Sequence, residues 1–449
     1  MSNRIHSYNQ FHAAGHGTFF SGRLRIEEHS SNQVGEFLWV YDCGSARPGR
    51  MSALVQDLHD YPMPHSHRAT DRINLLCLSH FDQDHVNGLK ILLQRFSIDV
   101  LALPYLPFER RLALASSFDI EDSASADTVL FTLDPIGYLV LSGLRNRIKR
   151  IILVKGGETP ASAMDAPLQN SDFLPSDQAR EDGGLPNLPL TLSVAQARQD
   201  ENYGPIVNRT STDGIETLDH SHAGLVGDRI SGLWEFVFFN KDLPSGIAPK
   251  SGLSLSDIQR EVAEIVDKYD LSARKPNLVE GWKKELRICY EKNFGKTSVA
   301  RNDISLCLLS RPMFARKVSQ CKLFDPPCSS LGSCNCLIPA PSTSQTGLLL
   351  TGDISLDNTT LNALKRHLHD SRWNSIWVMQ IPHHGSQHSW HAPLAHLCPH
   401  EYSVLCVPDT DSRGNHPHFN VLSDLNSAHK KLFRADYNSS VVYRIHADN

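Results

Sequence analysis

Apolar and polar positions along this chain change rhythm several times. Over residues 1–157, short apolar runs alternate with polar breaks: Gly17-Thr18-Phe19-Phe20, Glu36-Phe37-Leu38-Trp39-Val40-Tyr41, residues 73–79, Val100-Leu101-Ala102-Leu103 and Arg150-Ile151-Ile152-Leu153-Val154. Such runs predict strands, and the near-continuous one at 73–79 predicts a strand covered on both faces. Gly88-Leu89-Lys90-Ile91-Leu92-Leu93 then reads as the start of a helix. From 158 to 228 the periodicity fades into Pro, Asn, Asp, Ser and Gly, which predicts a loop-rich insertion. Trp234-Glu235-Phe236-Val237-Phe238-Phe239 restores a core strand within 229–242. Residues 243–300 switch to helical spacing, with Ser254 or Ser256 as N-cap and Ile258, Val262, Ile265 and Val266 on one face. Strand-like runs at 304–309, 347–350, 376–380 and 403–407 occupy 301–449. Strands at both ends with helical segments between them predict one interrupted α/β core, not a string of domains.

With 449 residues, 40% hydrophobic and 21% charged, the chain has ample material for that core. A formal net charge of -5 supplies no global basic field for nucleic acid, which leaves local cations to consider. Those are Lys90, Arg95, Arg110, Arg111 and the run Arg145-Asn146-Arg147-Ile148-Lys149-Arg150. The amino terminus, Met1-Ser2-Asn3-Arg4-Ile5-His6, lacks the apolar stretch of a signal peptide, and no run reaches the roughly 20 apolar residues of a membrane span. A cytoplasmic protein without membrane contact is expected, and its ten cysteines then read as thiols or metal ligands. Cys321, Cys328, Cys334 and Cys336 crowd into an excursion at 321–336, where four thiolates would suit a structural zinc. Cys43, Cys77, Cys307 and Cys406 sit in apolar runs and read as small core residues.

The chemistry concentrates where apolar runs stop. After the run at 73–79, His80, Asp82, Asp84 and His85 fall within six positions. Imidazole nitrogen and carboxylate oxygen are ligands for Zn²⁺, Mn²⁺ or Fe²⁺, and a short segment holding four of them suits a two-metal site. A polar loop with Asp84 as helix cap would explain a lone histidine better than this cluster. Three later runs end the same way, at Gly352-Asp353, at His383-His384-Gly385-Ser386, and ahead of His416-Pro417-His418. In α/β sheets, ligands gather outside the carboxyl ends of strands, so these segments are expected to converge. Asp219-His220-Ser221-His222 lies in the loop-rich insertion, where solvated rings are expected.

Ser79-His80-Phe81-Asp82-Gln83-Asp84-His85 resembles the H-x-H-x-D-H signature of the metallo-β-lactamase fold, with Asp82 where the second histidine normally stands. Asn302-Asp303-Ile304-Ser305-Leu306, Leu350-Thr351-Gly352-Asp353, Pro382-His383-His384-Gly385-Ser386 and His416-Pro417 follow in family order. Together they look like the ComEC-type branch, the hydrolase domain of bacterial DNA-uptake proteins, here without the transmembrane helices. Asp42 is similar to the family's early structural aspartate.

The resemblance implies an αββα sandwich carrying the loop-rich and helical insertions, and two divalent ions, Zn or Mn. His80, Asp82 and a later histidine would hold the first ion; Asp84 and His85, with His383 or His416, the second; Asp353 would bridge them. Water between two such ions loses its proton near neutral pH and attacks. Asp82 in place of imidazole adds charge and hardness, tilting preference toward Mn²⁺ or Mg²⁺. Asp84, His384 and His416 are the catalytic candidates, the two histidines holding anionic oxygens or protonating a leaving group. The implied activity is a metal-dependent phosphodiesterase or nuclease acting on DNA or RNA. The alternatives are a small-molecule hydrolase, such as a cyclic-nucleotide phosphodiesterase or lactonase, and a component of a bacterial defence system that binds a protein partner through its insertions.

Overall fold

The computed structural model describes residues 4–28, 33–60, 71–118, 126–157, 188, 190–192, 215–221, 223–226, 233–241, 248–269, 279–295, 304–313, 317–319, 334–339, 345–408 and 416–448. Its strands, in chain order, begin with β1 (Arg4–Phe11), β2 (Phe19–Glu28), β3 (Gln33–Cys43), β4 (Arg72–Cys77), β5 (Ser97–Pro104), β6 (Ile148–Lys155), β7 (Leu190–Leu192), β8 (Ile215–Asp219) and β9 (Ala223–Val226). They continue with β10 (Trp234–Phe239), β11 (Cys307–Pro312), β12 (Lys317–Ser319), β13 (Cys334–Leu337), β14 (Gly347–Leu350), β15 (Ile376–Gln380), β16 (Tyr402–Cys406), β17 (Lys431–Ala435) and β18 (Ser439–Asp448).

These strands form two mixed sheets, so the chain is of the α/β class. The first runs β12-β18-β1-β2-β3-β4-β5-β6-β8, with β13 also on β18; the second runs β17-β16-β15-β14-β11-β10-β9-β7. β3 to β6 are mutually parallel in one sheet and β14 to β17 in the other, which collects the carboxyl ends of both sets. Between the sheets lies a dry core in which Trp39 and Phe37 of the first meet Phe236 of the second at ring separations of 5.0 and 5.6 Å. Truncating such a ring to Ala costs about 3–5 kcal/mol, because the cavity left behind does not collapse.

The far face of the first sheet is covered by helices Met51–Asp60, Leu89–Arg95, Phe108–Ser117, Ala126–Leu133 and Pro135–Leu141. Helix Asn358–Trp373 covers the far face of the second, and helix Phe419–Ser427 packs near its edge. The helical stretch expected at 243–300 consists of two helices, Leu255–Lys268 and Val279–Phe294. Ser254 caps the first through a reciprocal bond with Asp257, and Ile258, Val262, Trp282 and Leu286 bury against the first sheet's helices. The expected loop-rich insertion is not all loop: β8 extends the first sheet beside β6, and β7 and β9 extend the second. Among the described residues no helix is long and apolar enough to cross a membrane.

Candidate metal centre

The site forms where the two sheets' carboxyl edges meet. Asp42 is the penultimate residue of β3, and its φ of 55° turns its carboxylate back under the neighbouring strand. There it accepts the Ser79 N–H at Oδ1 (2.6 Å) and, at Oδ2, the Ser79 hydroxyl (2.7 Å) and His85 Nδ1 (2.8 Å). Asp42 and His85 are both fully buried. Beyond β4 the backbone swings into helix Gln83–Val86, with the Asp82 carbonyl accepting from His85 N and Val86 N. Asp84 and His85 are thereby presented from the first helical turn. His80 Nδ1 rests on the Ser79 hydroxyl at 2.8 Å and on Ser305 Oγ at 3.4 Å, which turns Nε2 inward.

From the second sheet, β14 leads through Gly352 into Asp353. Gly352 has φ +54°, and a Cβ there would lie 2.7 Å from the Ser79 Cβ, so glycine is what lets the sheets approach. The Asp353 N–H donates to Ser305 Oγ (3.1 Å), fixing a buried carboxylate. After β15, His383 (φ 46°) and His384 (φ 55°) both occupy the left-handed region. Two consecutive non-glycine residues there cost on the order of 1–2 kcal/mol each, strain of the kind held at functional sites. His384 Nδ1–H donates to the Cys406 carbonyl (2.7 Å), so its Nε2 points into the cluster. The turn between β1 and β2 adds His16, its ring 4.4 Å from that of His384. Gly17 beside it has φ +124° and packs against the Asp84 carbonyl, which a Cβ would meet at 2.5 Å.

Two triads result, His80–His85–Asp353 and His16–Asp84–His384, each with its ligand atoms within 4.8 Å of one another. In the first, Asp353 Oδ1 is 3.2 Å from His85 Nε2 and Oδ2 is 3.8 Å from His80 Nε2. In the second, Asp84 Oδ2 lies 3.3 Å from His384 Nε2 and 3.7 Å from His16 Nε2. They are joined, because His384 Nε2 also stands 3.7 Å from Asp353 Oδ1, and His383 Nε2 3.7 Å from Asp353 Oδ2.

Burial works against charge on every group here, and the outcome is set by which neighbours oppose it. Burial, with His85 close by, pushes His80 down to about 4, and burial with His384 close by pushes His16 down to about 4. His85 is buried too, yet Asp353, Asp42 and Asp84 hold it well above the ordinary histidine value. Burial would raise Asp84 and Asp353, but His85 and His384 overcome it and keep both carboxyls ionised.

The donor set fits a pair of cations. His80 Nε2, His85 Nε2, His384 Nε2 and Asp353 Oδ1 are buried, converge on one space and make no hydrogen bond. Leaving one such atom unanswered costs about 1–3 kcal/mol; the contacts of Asp353 Oδ1 with His85 Nε2 (3.2 Å) and His384 Nε2 (3.7 Å) offset part of that, and a cation among them would offset more. Meanwhile each ring's Nδ1 is anchored, to Asp42, to Ser79 or to the Cys406 carbonyl, the arrangement that orients metal-binding imidazole.

The sequence-predicted residues do converge, in a different grouping. His85 pairs with His80 and Asp353, and Asp84 with His16 and His384. His384, expected at the substrate, is a member of the second triad. Asp82 stands outside both triads, 3.9 Å from His80 Nε2. His383 and His416 line the rim, their rings 5.4 Å apart, with His416 5.8 Å from His16. His16 escaped the sequence reading; its only signal is a histidine between two glycines ahead of a strand.

Other expectations fall differently. His220 is buried rather than solvated, its Nε2–H on the Gly157 carbonyl (2.9 Å); His222 lies outside the described residues. Three of the basic residues are engaged away from the cluster. Arg111 is buried on the carbonyls of Leu106 and Leu133, Arg150 pairs with Glu216, and Lys90 reaches Asp127. The 145–150 run lies at the amino end of β6, the opposite edge from the site. Of the proposed zinc cysteines, Cys321 and Cys328 lie outside the described residues, and Cys334 and Cys336 belong to β13. Asn302 and Asp303 are likewise outside them. Cys43, Cys77, Cys307 and Cys406 are buried thiols, as expected.

A different cation stands by the rim. Ala46 N–H donates to the His16 carbonyl (2.6 Å), and the next residue, exposed Arg47, lies 3.9 Å over the Tyr437 ring. Arg50 holds that arrangement through the carbonyls of Tyr437 (2.5 Å) and Ala13 (3.2 Å). No protein-family model matches the chain, and no curated protein matches it.

Proposed function

We propose that this chain is a metal-dependent hydrolase of the metallo-β-lactamase fold, an αββα sandwich whose substrate is a phosphodiester of DNA or RNA. The observation that carries the reading is the pair of joined triads with four unanswered buried ligand atoms. His80, His85 and Asp353 would hold one divalent ion, and His16, Asp84 and His384 the other, with Asp353 within reach of both sets. Two ions so held would supply a lowered pKa for bound water and positive charge to offset that of a phosphoryl group. The remaining work belongs to side chains. Asp42 holds the proton on His85 Nδ1, so Nε2 is the nitrogen that would give up its proton to a metal. His416, at the rim and half-buried, is placed to give a proton to a departing oxygen. Arg47, stacked on Tyr437, presents a fixed guanidinium to a phosphate entering past His16.

The test is metal-stripped full-length protein resupplied with Mn²⁺ or Zn²⁺ and offered plasmid, single-stranded DNA and RNA. Cleavage that needs metal, with about two ions bound per chain by elemental analysis, and loss of both in Asp84→Asn and Asp353→Asn, is the expected result. Cleavage that survives chelation or either substitution refutes the site. Activity confined to lactones or cyclic nucleotides refutes the substrate class and keeps the metal centre.

A further inference from the structure

Each of the two triads draws on both sheets, so each depends on a tie that holds the sheets' carboxyl edges together. The first has Ser305, whose Oγ accepts the Asp353 N–H (3.1 Å) and stands 3.4 Å from His80 Nδ1. Beside it, Leu306 donates its N–H to the Ser79 carbonyl (2.8 Å) and accepts the Tyr41 hydroxyl (2.9 Å). For the second triad the corresponding tie runs through Gln380.

Gln380 closes β15, whose other residues, Ile376-Trp377-Val378-Met379, are apolar, and it is 2% exposed. An apolar residue would fill such a position without the cost of burying an amide. Here the amide is answered by segments that carry ligands. Leu348 and Leu349 of β14 pair in register with Val378 and Met379, and one residue further β14 ends. The Gln380 side chain takes over where that ladder stops. Its Oε1 accepts the N–H of Thr351 (3.1 Å) and of Gly352 (3.2 Å), the residues that lead into Asp353. Its Nε2 donates to Thr18 Oγ1 (2.9 Å), just ahead of β2 in the other sheet. Thr18 is fully buried, two residues after His16, and its own N–H donates to the Asp84 carbonyl (3.2 Å). Its hydroxyl also faces the thiol of Cys406, whose carbonyl holds His384 Nδ1. One buried amide thus braces the turn behind Asp353 against the turn that carries His16 and, through Thr18, against Asp84.

We propose that Gln380 is a positioning residue: by bonding Gly352 and Thr18 at once it fixes His16 and Asp84 against Asp353 and sets the spacing between the two ion positions, a role that rests on the two-ion reading above.

Metal-stripped full-length protein reloaded with Mn²⁺ tests this without any substrate. Wild type should hold about two ions per chain by elemental analysis and show the electron paramagnetic resonance lines of a coupled Mn²⁺ pair. Thr18→Val removes the bond between the sheets and leaves Oε1 its two amides, whereas Gln380→Met removes all three bonds. In both variants the calorimetric affinity for one ion should fall about 10–100-fold while the other stays within about twofold of wild type. The coupled lines should give way to those of isolated Mn²⁺. Thr18→Ser, which keeps the hydroxyl, should restore both readouts. Where Gln380→Met does not fold, Thr18→Val carries the test. Two ions bound and coupled as in wild type in Thr18→Val overturn the proposal, as do equal losses of both ions or a Thr18→Ser variant as impaired as Thr18→Val. Wild-type protein that holds fewer than two ions overturns the two-ion reading itself, and the role of Gln380 with it, before any variant is compared.

Discussion

Replacing Asp42 by Asn tests the anchoring logic of the metal centre without touching a ligand. The carboxylate accepts three hydrogen bonds, from Ser79 N, Ser79 Oγ and His85 Nδ1, and nothing of it is exposed. Asn tolerates the positive φ of this position as well as Asp does, so the backbone is not the perturbation. An amide retains one oxygen, and the Ser79 N–H, which cannot reorient, claims it. The NH₂ then faces His85 Nδ1, and the ring must give up its Nδ1 proton to accept, keeping the one on Nε2. That proton points at Asp353 Oδ1, 3.2 Å away, and occupies the lone pair a metal would use. One charge-assisted bond, worth about 1.5–3 kcal/mol, is lost and a neutral one replaces it, so stability should fall by about 1–2 kcal/mol. Metal affinity should fall further, about 10–100-fold, the usual consequence of removing a partner that orients a ligand. Asp42→Ala instead leaves all three donors without their acceptor, and should cost about 3–5 kcal/mol. Urea titration and calorimetric Mn²⁺ and Zn²⁺ binding measure the two effects. If Asp42→Asn keeps wild-type metal affinity, the anchoring of His85 is not what fixes its lone pair, and the argument is wrong.

Arg47→Ala should raise KM for a nucleic-acid substrate about tenfold with kcat unchanged, and Arg47→Lys, which cannot stack on Tyr437 in the same way, should restore only part of it. An unchanged KM removes Arg47 from the binding surface. Glu235, 1% exposed, joins Arg311 (2.5 Å) to Arg372 (2.9 Å); Glu235→Gln should cost about 3 kcal/mol in urea denaturation, and a loss below about 1 kcal/mol would show the pair to be idle. Burial opposes ionisation of Glu235, but Arg372 and Arg311 hold it below its ordinary value, so this stability is present at neutral pH and fades in acid. The buried rings of His12, His367 and His400 are each pushed down to about 3, by burial first and then by Arg23, His220 and Lys430 respectively. A depressed histidine stabilises the fold above its unfolded pKa and loses that contribution as pH falls. Between pH 6.5 and 3 each should therefore cost about 1.4 kcal/mol per unit. A melting temperature that stays flat from pH 7 to 5 would refute this.

What the chain discloses about itself follows from the physics of its strands. β4, β14, β15 and β16 are covered on both faces, so they read as unbroken apolar runs, and a histidine or aspartate just past each end stands out against them. β1 and β18 are as central to the first sheet but were not legible. Arg4–Phe11 reads as polar, because its buried polar groups answer one another locally, as in Asn9 Nδ2 donating to Ser7 Oγ (2.6 Å). β17 is an edge strand, largely exposed, with no apolar signature to find.

The division of ligands into two sets could not be read at all, for a geometric reason. Spacing along a chain says which groups share a turn, and His80, Asp84 and His85 do. Which of them share a cation depends on what the other sheet places opposite. Asp353 arrives beneath His85 because Gly352 permits the approach, and His384 arrives beside Asp84 because Cys406 claims its other nitrogen. His16 completes the second set from a turn that local pattern marks only as a turn. The same logic applies to the basic run at 145–150. Charge density is visible in a sequence, but the edge of the sheet on which it falls is decided by strand direction, and β6 starts at the edge away from the cluster. Arg47, a lone arginine in a loop, reaches the rim because Ala46 is bonded to the His16 turn and Tyr437 supports its side chain.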